Sequence, residues 1–420
     1  IPIRLRVQGL LVWQDSLPSD TLFSLKELNL QIRPWPLLSK ELLVESVGLK
    51  ELKLNTGNLM DGMVLKGEVE SAFAKADRIS FSSEKATLNR LDLSDAALTL
   101  LITDTTSRSD TVTSQPLNWS LNLDKIDLNR VAIALQIPQE LVRAAGFIQE
   151  AKLRGGKVDL GNARYVAKSF ILSRSSFRYD AGLQAAMSGL DPSHIALSDV
   201  NVSLGSLLYS DKELGVDIGR FELKERSGLE VTQFRGKVRG DSTHFKIPEL
   251  KLLTPYSSVD MKVAIPYAAF NKHPKGKIDI QVDGRAGKRD VLALLGDMPE
   301  SFVRSYPEED MALYVSAAGN LKKLDLEKAE VHLPGAIDIS LNGNGTWLQE
   351  LDRREAALSL DARLGNLDFL LDYLPDETKQ NWNIPRNMSL TGEAKVRRKQ
   401  FKADLLFREG DGKVRLSGAF

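Results

Sequence analysis

From Phe23 to Leu54 the chain alternates. Leu28, Leu30 and Ile32 are separated by Asn29 and Gln31, which predicts an extended strand with one apolar side and one polar side. After Pro34-Trp35-Pro36 and Leu37-Leu38 the alternation resumes at Val47, Leu49, Leu52 and Leu54. Such runs bounded by a proline turn predict antiparallel strands with one face in water. The phrase returns later, since Val200, Val202 and Leu204 each lie 172 positions after Leu28, Leu30 and Ile32. Weaker versions fill most of the chain, with the cleanest at Ile278, Ile280 and Val282.

Three places break the pattern. Residues 137–148, 290–305 and 367–381 carry prolines and helical apolar spacing, and predict short helical elbows. Ile137-Pro138-Gln139-Glu140-Leu141-Val142-Arg143 matches Met298-Pro299-Glu300-Ser301-Phe302-Val303-Arg304, and Leu374-Pro375 opens a third. Pro138 suits a first helical position, and Asp290 is expected to cap the second elbow. Thr103 to Pro116 is polar and reads as the clearest loop. The elbows are minor and the β content dominates.

Roughly 30 short strands are expected, far beyond the ~10 that an open sheet carries without curling or splitting. At ~4.8 Å per strand a continuous meander would run on the order of 140 Å. The expected fold is therefore mainly β: one long antiparallel sheet over residues 1–420, curled lengthwise into a trough and punctuated by short helices. Its apolar lining is expected at Leu28, Leu30, Ile32, Ile126, Leu128, Ile133, Val200, Val202, Leu204, Val259, Met261, Val263, Ile278, Ile280, Val282, Ile337, Ile339 and Leu341. Periodicity alone does not distinguish such a groove from the dry core of closed β-sandwiches.

Composition narrows the chemistry. Apolar residues make up 42% and charged residues 27%, so the chain is neither disordered nor a membrane bundle. Lys+Arg and Asp+Glu stand at 56 each, so there is no basic field for nucleic acid. Clusters such as Lys395 to Lys402 read as a solvated strand face. There is no cysteine, which excludes disulfides and thiolate metal sites. His194, His244, His273 and His332 show no metal-ligand spacing. Gly343-Asn344-Gly345 lacks the Lys-Ser/Thr pair of a phosphate loop and reads as a tight hairpin turn. Asp124 and Asp127 read as solvent-face charges. No catalytic constellation, metal or cofactor is expected.

The Trp35-Pro36-Leu37-Leu38 turn, the strand pairs of the type LKELKL, the Leu-Pro elbows and the strands running into glycine (Leu341-Asn342-Gly343, Leu390-Thr391-Gly392, Leu416-Ser417-Gly418) resemble the AsmA-like family, in its TamB-type branch of a Bacteroidetes kind. The resemblance covers nearly the whole chain as a pattern. It implies a periplasmic protein of a diderm envelope, anchored in the inner membrane, with a taco-shaped groove that carries phospholipid acyl chains towards the outer membrane. It also implies a role in outer-membrane biogenesis with a barrel partner. The chain opens without a methionine and stops inside an apparent strand, so it is expected to be a middle segment. The inner-membrane anchor and the C-terminal domain that meets the barrel are expected to lie outside it. The competing expectation is an adhesive β-repeat stalk made of closed sandwiches without lipid.

Overall fold

The computed structural model describes residues 3–13, 21–33, 43–57, 62–80, 84–103, 118–373 and 387–419. The Pro34-Trp35-Pro36-Leu37-Leu38 turn, most of the loop after Thr103 and the end of the third elbow lie outside these residues. Internal contacts divide the chain into two compact units, one of Ile1–Met187 with Asp191–Arg226 and one of Ser188–Leu190 with Ser227–Phe420. Both are mainly β.

Unit 1 contains strands β1 (Ile3–Trp13), β2 (Thr21–Arg33), β3 (Leu43–Asn55), β4 (Met63–Ser80), β5 (Lys85–Ile102), β6 (Ser120–Ile137), β7 (Val142–Asp159), β8 (Arg164–Ala167), β9 (Ser169–Ala181), β10 (His194–Tyr209) and β11 (Leu214–Glu225). They pair in chain order, with β8 and β9 sharing the place between β7 and β10. All these pairs are antiparallel except β5 with β6, which run parallel. This corrects the expectation of a wholly antiparallel sheet. A parallel neighbour needs a crossover of a dozen residues or more, and residues 103–119 supply that length.

The strands of unit 1 are long, reaching 18 residues in β4, β5, β6 and β7. Six of the strands, β1, β3, β5, β6, β9 and β10, carry an interruption at one level. Gly9, Glu51, Asp95, Arg130, Arg174 and Asp199 have positive φ, between 46° and 66°. Register places them in one line across the sheet. Gly9 faces Lys26, between the pairs Gln8↔Glu27 and Leu10↔Leu25. Glu51 faces the same Lys26, and Asp95 and Arg130 stand level with each other.

A left-handed residue in mid-strand breaks the two-residue period, so the apolar series changes parity there. In β5 it steps from Leu91 and Leu93 to Ala96 and Leu98, and in β6 from Leu128 to Val131 and Ile133. Residues from both sides of the line pack into one cluster around Val69, Ala96 and Val131, with Leu93, Leu98 and Leu128 against it. The charged line itself is exposed at Lys26, Asp95 and Arg130. Each long strand thus turns a corner with its apolar face inside. One bent strand looks like two in the sequence, which is why about 30 were expected and 23 are found among the described residues.

Unit 2 contains β12 (Glu230–Val231), β13 (Gln233–Gly240), β14 (His244–Leu253), β15 (Ser258–Pro266), β16 (Ile278–Ala286), helices α1 (Lys288–Leu295) and α2 (Glu300–Ser305), then β17 (Met311–Asn320), β18 (Lys323–Leu333), β19 (Ile337–Thr346), β20 (Glu355–Leu364), β21 (Met388–Arg397), β22 (Gln400–Glu409) and β23 (Gly412–Ala419). From β13 to β23 every neighbour pair is antiparallel and sequential. These strands span only 8 to 11 residues. Glycines inside them permit close approach. A Cβ on Gly319 (φ 136°) would lie 2.2 Å from the Lys323 carbonyl oxygen, and one on Gly343 would lie 2.4 Å from that of Ala357. Gly343-Asn344-Gly345 therefore belongs to the interior of β19, not to a hairpin turn.

The elbows divide. At 290–305 helices form as expected. The cap, however, is Gly287, and Asp290 sits inside the first turn of α1, where its buried carboxylate accepts hydrogen bonds from the Thr254 and Ser257 hydroxyls. Phe302 of α2 is 3% exposed, packed on Tyr306 and Phe369 beside Leu333, Ala336 and Leu367. In the third elbow only a 3-10 turn, Asp368–Tyr373, falls within the described residues. At 137–148 the expected helix is absent. Pro138–Glu140 is a single 3-10 turn, Leu141 is left-handed (φ 55°), and the chain re-enters β7 at Val142. The two matching heptapeptides diverge because Phe302 finds an aromatic core, whereas Leu141 remains 44% exposed.

Candidate functional site

Residues paired across strands project from the same face of a sheet. In unit 1 one row runs Leu5, Leu30, Val47, Ala74, Leu91, Ile126, Leu153, Phe170 and Leu204. The next runs Val7, Leu28, Leu49, Ala72, Leu93, Leu128, Ala151, Leu172 and Val202. Beyond the corner a third runs Val12, Phe23, Leu54, Gly67, Leu98, Ile133, Gly146, Phe177 and Leu197. Ile32 extends the face through Ile3 and Val44, and Val200 lies at the corner opposite Ser175. That buried serine donates to the Ser173 carbonyl, so the apolar row keeps no unpaired hydroxyl there.

Unit 2 repeats the arrangement without the corner. Phe234, Leu252, Val259, Gly284, Leu313, Val331, Ile339, Ala362, Leu390, Phe407 and Val414 form one row. Leu250, Met261, Val282, Val315, Ala329, Leu341, Leu360, Gly392, Leu405 and Leu416 form the next. Ile247, Val263 and Ile280 share a third, while Ile278 faces Gly319 and Ile337 faces Leu333 and Leu364. The eighteen expected lining residues thus fall nine on the apolar face of each unit.

The 172-residue sequence repeat does not match this register. Leu28 shares its row with Val202, two positions beyond the sequence-matched Val200. The corner in β10 falls at Asp199, immediately before Val200, whereas β2 reaches its corner level two positions before Leu28.

These faces are neither dry nor bare. Of the eighteen residues only Val200 and Ile278 are buried, and most of the others are half-buried. Ile133 (42% exposed), Leu358 (40%) and Leu416 (60%) stand open on the apolar rows. Among the described residues the strands belong to one hydrogen-bonded sheet. Extended apolar surface of this kind marks a binding face. The opposite faces carry ion pairs such as Arg154–Asp127 (2.5 Å), Lys328–Glu330 (2.8 Å) and Arg397–Glu355 (3.1 Å). Asp124 is exposed and accepts a hydrogen bond from Asn89 at an irregular point of the ladder opposite Gly155.

Beyond the corner of unit 1 the apolar face deepens into a hollow of about 460 Å³. Its walls are Ile133, Leu135, Phe177, Tyr179, Ile195 and Leu197, and its floor is kept low by Ala144 and Gly146 of β7. A Cβ on Gly146 would come within 2.9 Å of the Phe177 ring. The small residues were visible in the sequence, but their place between bulky rows depends on register.

The histidines are structural where they have partners. His194 Nδ1 lies 2.9 Å from the buried Asp191 carboxylate, which also accepts the Met187 and Ser193 amides. Those amides, Met187 first, hold the Asp191 carboxyl below the usual carboxylate range. In unit 2 Asp241 accepts from the Thr243 hydroxyl and amide and the His244 amide, which lower its pKa to about 2. Both Asp-x-Ser/Thr-His tetrads open a strand. Among the described residues no group of three or more His, Cys, Asp or Glu is placed to hold a metal. No helix among them is long and apolar enough to cross a membrane.

No protein-family model matches this chain, and no curated protein sequence is significantly similar to it.

Proposed function

We propose that the chain is a lipid-transport scaffold of the AsmA-like, TamB type, in which phospholipid acyl chains lie along the apolar faces while headgroups stay in water. The observation that carries this reading is the continuity of the apolar rows across β1 to β7, β9 and β10, and from β13 to β23, with most of their side chains only half-buried. Each CH₂ removed from water on such a face is worth ~0.8 kcal/mol, so an acyl chain gains with every strand it crosses. The rows change little in character along each unit, so a chain sliding from strand to strand meets no step in affinity. The hollow over Ala144 and Gly146, walled by apolar side chains, is one seat along this path.

In this reading the protein works in the periplasm of a diderm cell, held to the inner membrane by an anchor outside this segment. It contributes to outer-membrane biogenesis, where a barrel partner would meet a further domain. No catalytic step is assigned to it. A stalk of closed sandwiches would bury its apolar rows, and the half-exposed lining weighs against that reading.

Native mass spectrometry with solvent extraction tests the proposal on protein purified without detergent. The expected result is several phospholipids per chain. Val202→Arg, on the face of unit 1, and Ile280→Asp, on that of unit 2, should lose bound lipid while leaving secretion intact. A folded, lipid-free wild-type chain would sink the proposal, and normal transport by both variants would sink the lining.

A further inference from the structure

The two long rims of unit 2 differ in charge. On one rim the turns at 241–243, 267–277, 321–322, 347–354 and 398–399 hold eight Lys or Arg against three Asp or Glu. On the other rim, segment 287–310, which carries α1 and α2, holds three Lys or Arg against six Asp or Glu, and the β22–β23 turn adds Asp411. A chain with balanced total charge has therefore sorted its cations to one edge of this unit.

The basic rim is a laced edge rather than a set of loose loops. Tyr267 donates its amide to the Thr243 carbonyl, Leu321 to Ala269, Leu348 to Leu321 and Arg398 to Arg354. Side chains add to the lacing, with Asn320 donating to the Gly276 carbonyl and Gln349 to that of Phe270. Trp347 is clamped between Lys322 and Arg353, whose guanidinium lies 3.5 Å from the ring centre. Along this edge Lys272, Lys275, Lys277, Arg398 and Lys399 are exposed, and none has an acidic partner among the described residues. The apolar row of Ile278, Gly319, Leu324, Gly345, Ala356, Val396 and Phe401 ends directly beneath it.

We infer that this rim holds the phosphate headgroups of anionic glycerophospholipids whose acyl chains occupy the adjoining apolar face. The inference rests on the lipid reading above and adds to it a headgroup class and an edge. Unpaired cations above an apolar row match the two ends of an anionic lipid, an acidic opposite edge repels the same headgroup, and a braced rim keeps the cations in register with the strands. Cations beside an anionic lipid surface act additively and are screened by salt.

The test loads the whole chain from vesicles of phosphatidylglycerol, of phosphatidylcholine or of phosphatidylcholine doped with diacylglycerol, all with the same acyl chains, and counts bound lipid by native mass spectrometry. The wild type should take up roughly tenfold more phosphatidylglycerol than phosphatidylcholine at low salt, a ratio that shrinks towards one as the Debye length falls from ~10 Å to ~3 Å. A variant with Lys272, Lys275, Lys277, Arg398 and Lys399 each changed to Gln should take up the two equally and keep its diacylglycerol. A control with Lys246, Lys262, Arg285, Lys328 and Arg363 of the strands each changed to Gln removes the same charge away from the rim and should keep the preference, which separates the edge from the total charge. Equal uptake by the wild type, or a preference that survives in the five-fold variant, overturns the rim assignment alone. Displacement of lipid by inorganic phosphate at matched ionic strength would make the rim a simple anion site and also overturn it. Failure to take up any lipid, diacylglycerol included, overturns the lipid reading itself.

Discussion

The two units reach an open apolar face by different means. Unit 1 uses strands of up to 18 residues and bends them at a line of left-handed residues, so one buried cluster, Val69, Ala96 and Val131, lies inside the corner. Unit 2 uses strands of about ten residues with glycines inside them, and places its buried aromatic cluster at one rim, where α2 and the 368–373 turn pack Phe302, Tyr306 and Phe369 on Leu333 and Ala336. Most residues of the apolar rows are only half-buried, and each unit makes a local core. One folds the sheet on itself and the other adds a helical insert. Away from these cores the apolar rows stay mostly half-buried in both.

Removing each local core is the strongest way to break the comparison. Phe302→Ala should cost about 3–5 kcal/mol, the range for deleting a buried aromatic ring, read from the denaturation midpoint. Hydrogen exchange should rise in β17 to β20 and stay unchanged in β4 to β7. Val131→Ala, which deletes two methyl groups from a side chain 2% exposed, should cost about 2 kcal/mol with the opposite exchange pattern. If either substitution loosened both units equally, the cores would not be local.

A pair of glycine substitutions sharpens the contrast because the two should differ in sign. Gly343→Ala pushes a Cβ to 2.4 Å from a backbone oxygen that cannot swing away, and should cost about 1–3 kcal/mol. Arg174→Gly relieves a left-handed residue (φ 46°) whose exposed side chain makes no ion pair, and should gain up to about 1 kcal/mol. A loss of stability at Arg174 would mean that its side chain, not its backbone angle, holds the corner.

The sequence made the faces of this molecule legible and hid its bends. Alternation at Leu28, Leu30 and Ile32, or at Ile278, Ile280 and Val282, is enough to assign a face, because the strand period is two and one face is apolar. The corner was hidden because it is made at Glu51, Asp95, Arg130 and Arg174, charged residues that give no sign of positive φ. Its only trace is the step in parity from Leu93 to Ala96 and from Leu128 to Val131. The parallel pairing of β5 with β6 left no local signal either, since side-chain alternation is the same in both kinds of ladder. Residues 138–148 were misread because Leu141, Val142 and Ala145 have helical spacing, while pairing of Ile137 with Val142 and of Leu135 with Ala144 decides the outcome. The basic rim has no local signal, since Lys395 to Lys402 lie far in sequence from Lys272 to Lys277 and only the lacing joins their turns into one edge.

The smallest expected effect concerns the feature that the units share. The tetrads Asp191-Pro192-Ser193-His194 and Asp241-Ser242-Thr243-His244 open β10 and β14 with the same device, an aspartate gathering the amides of the turn. Asp241 has its pKa lowered to about 2 by the Thr243 hydroxyl and the Thr243 and His244 amides, against an ordinary 3.8. Unfolding releases the aspartate to its ordinary value, so between these two the unfolded chain binds more protons than the folded one. The contribution is therefore complete above the ordinary carboxylate range and fades as pH falls through it towards about 2. Asp241→Asn should remove that part of the acid sensitivity and leave stability at neutral pH slightly lower, since an amide oxygen accepts from the turn more weakly than a carboxylate. Proton NMR titration of the Thr243 and His244 amides follows the step directly. A midpoint near the ordinary carboxylate value would show that the amides do not hold the charged form, and the tetrad would then be a turn set by its backbone alone.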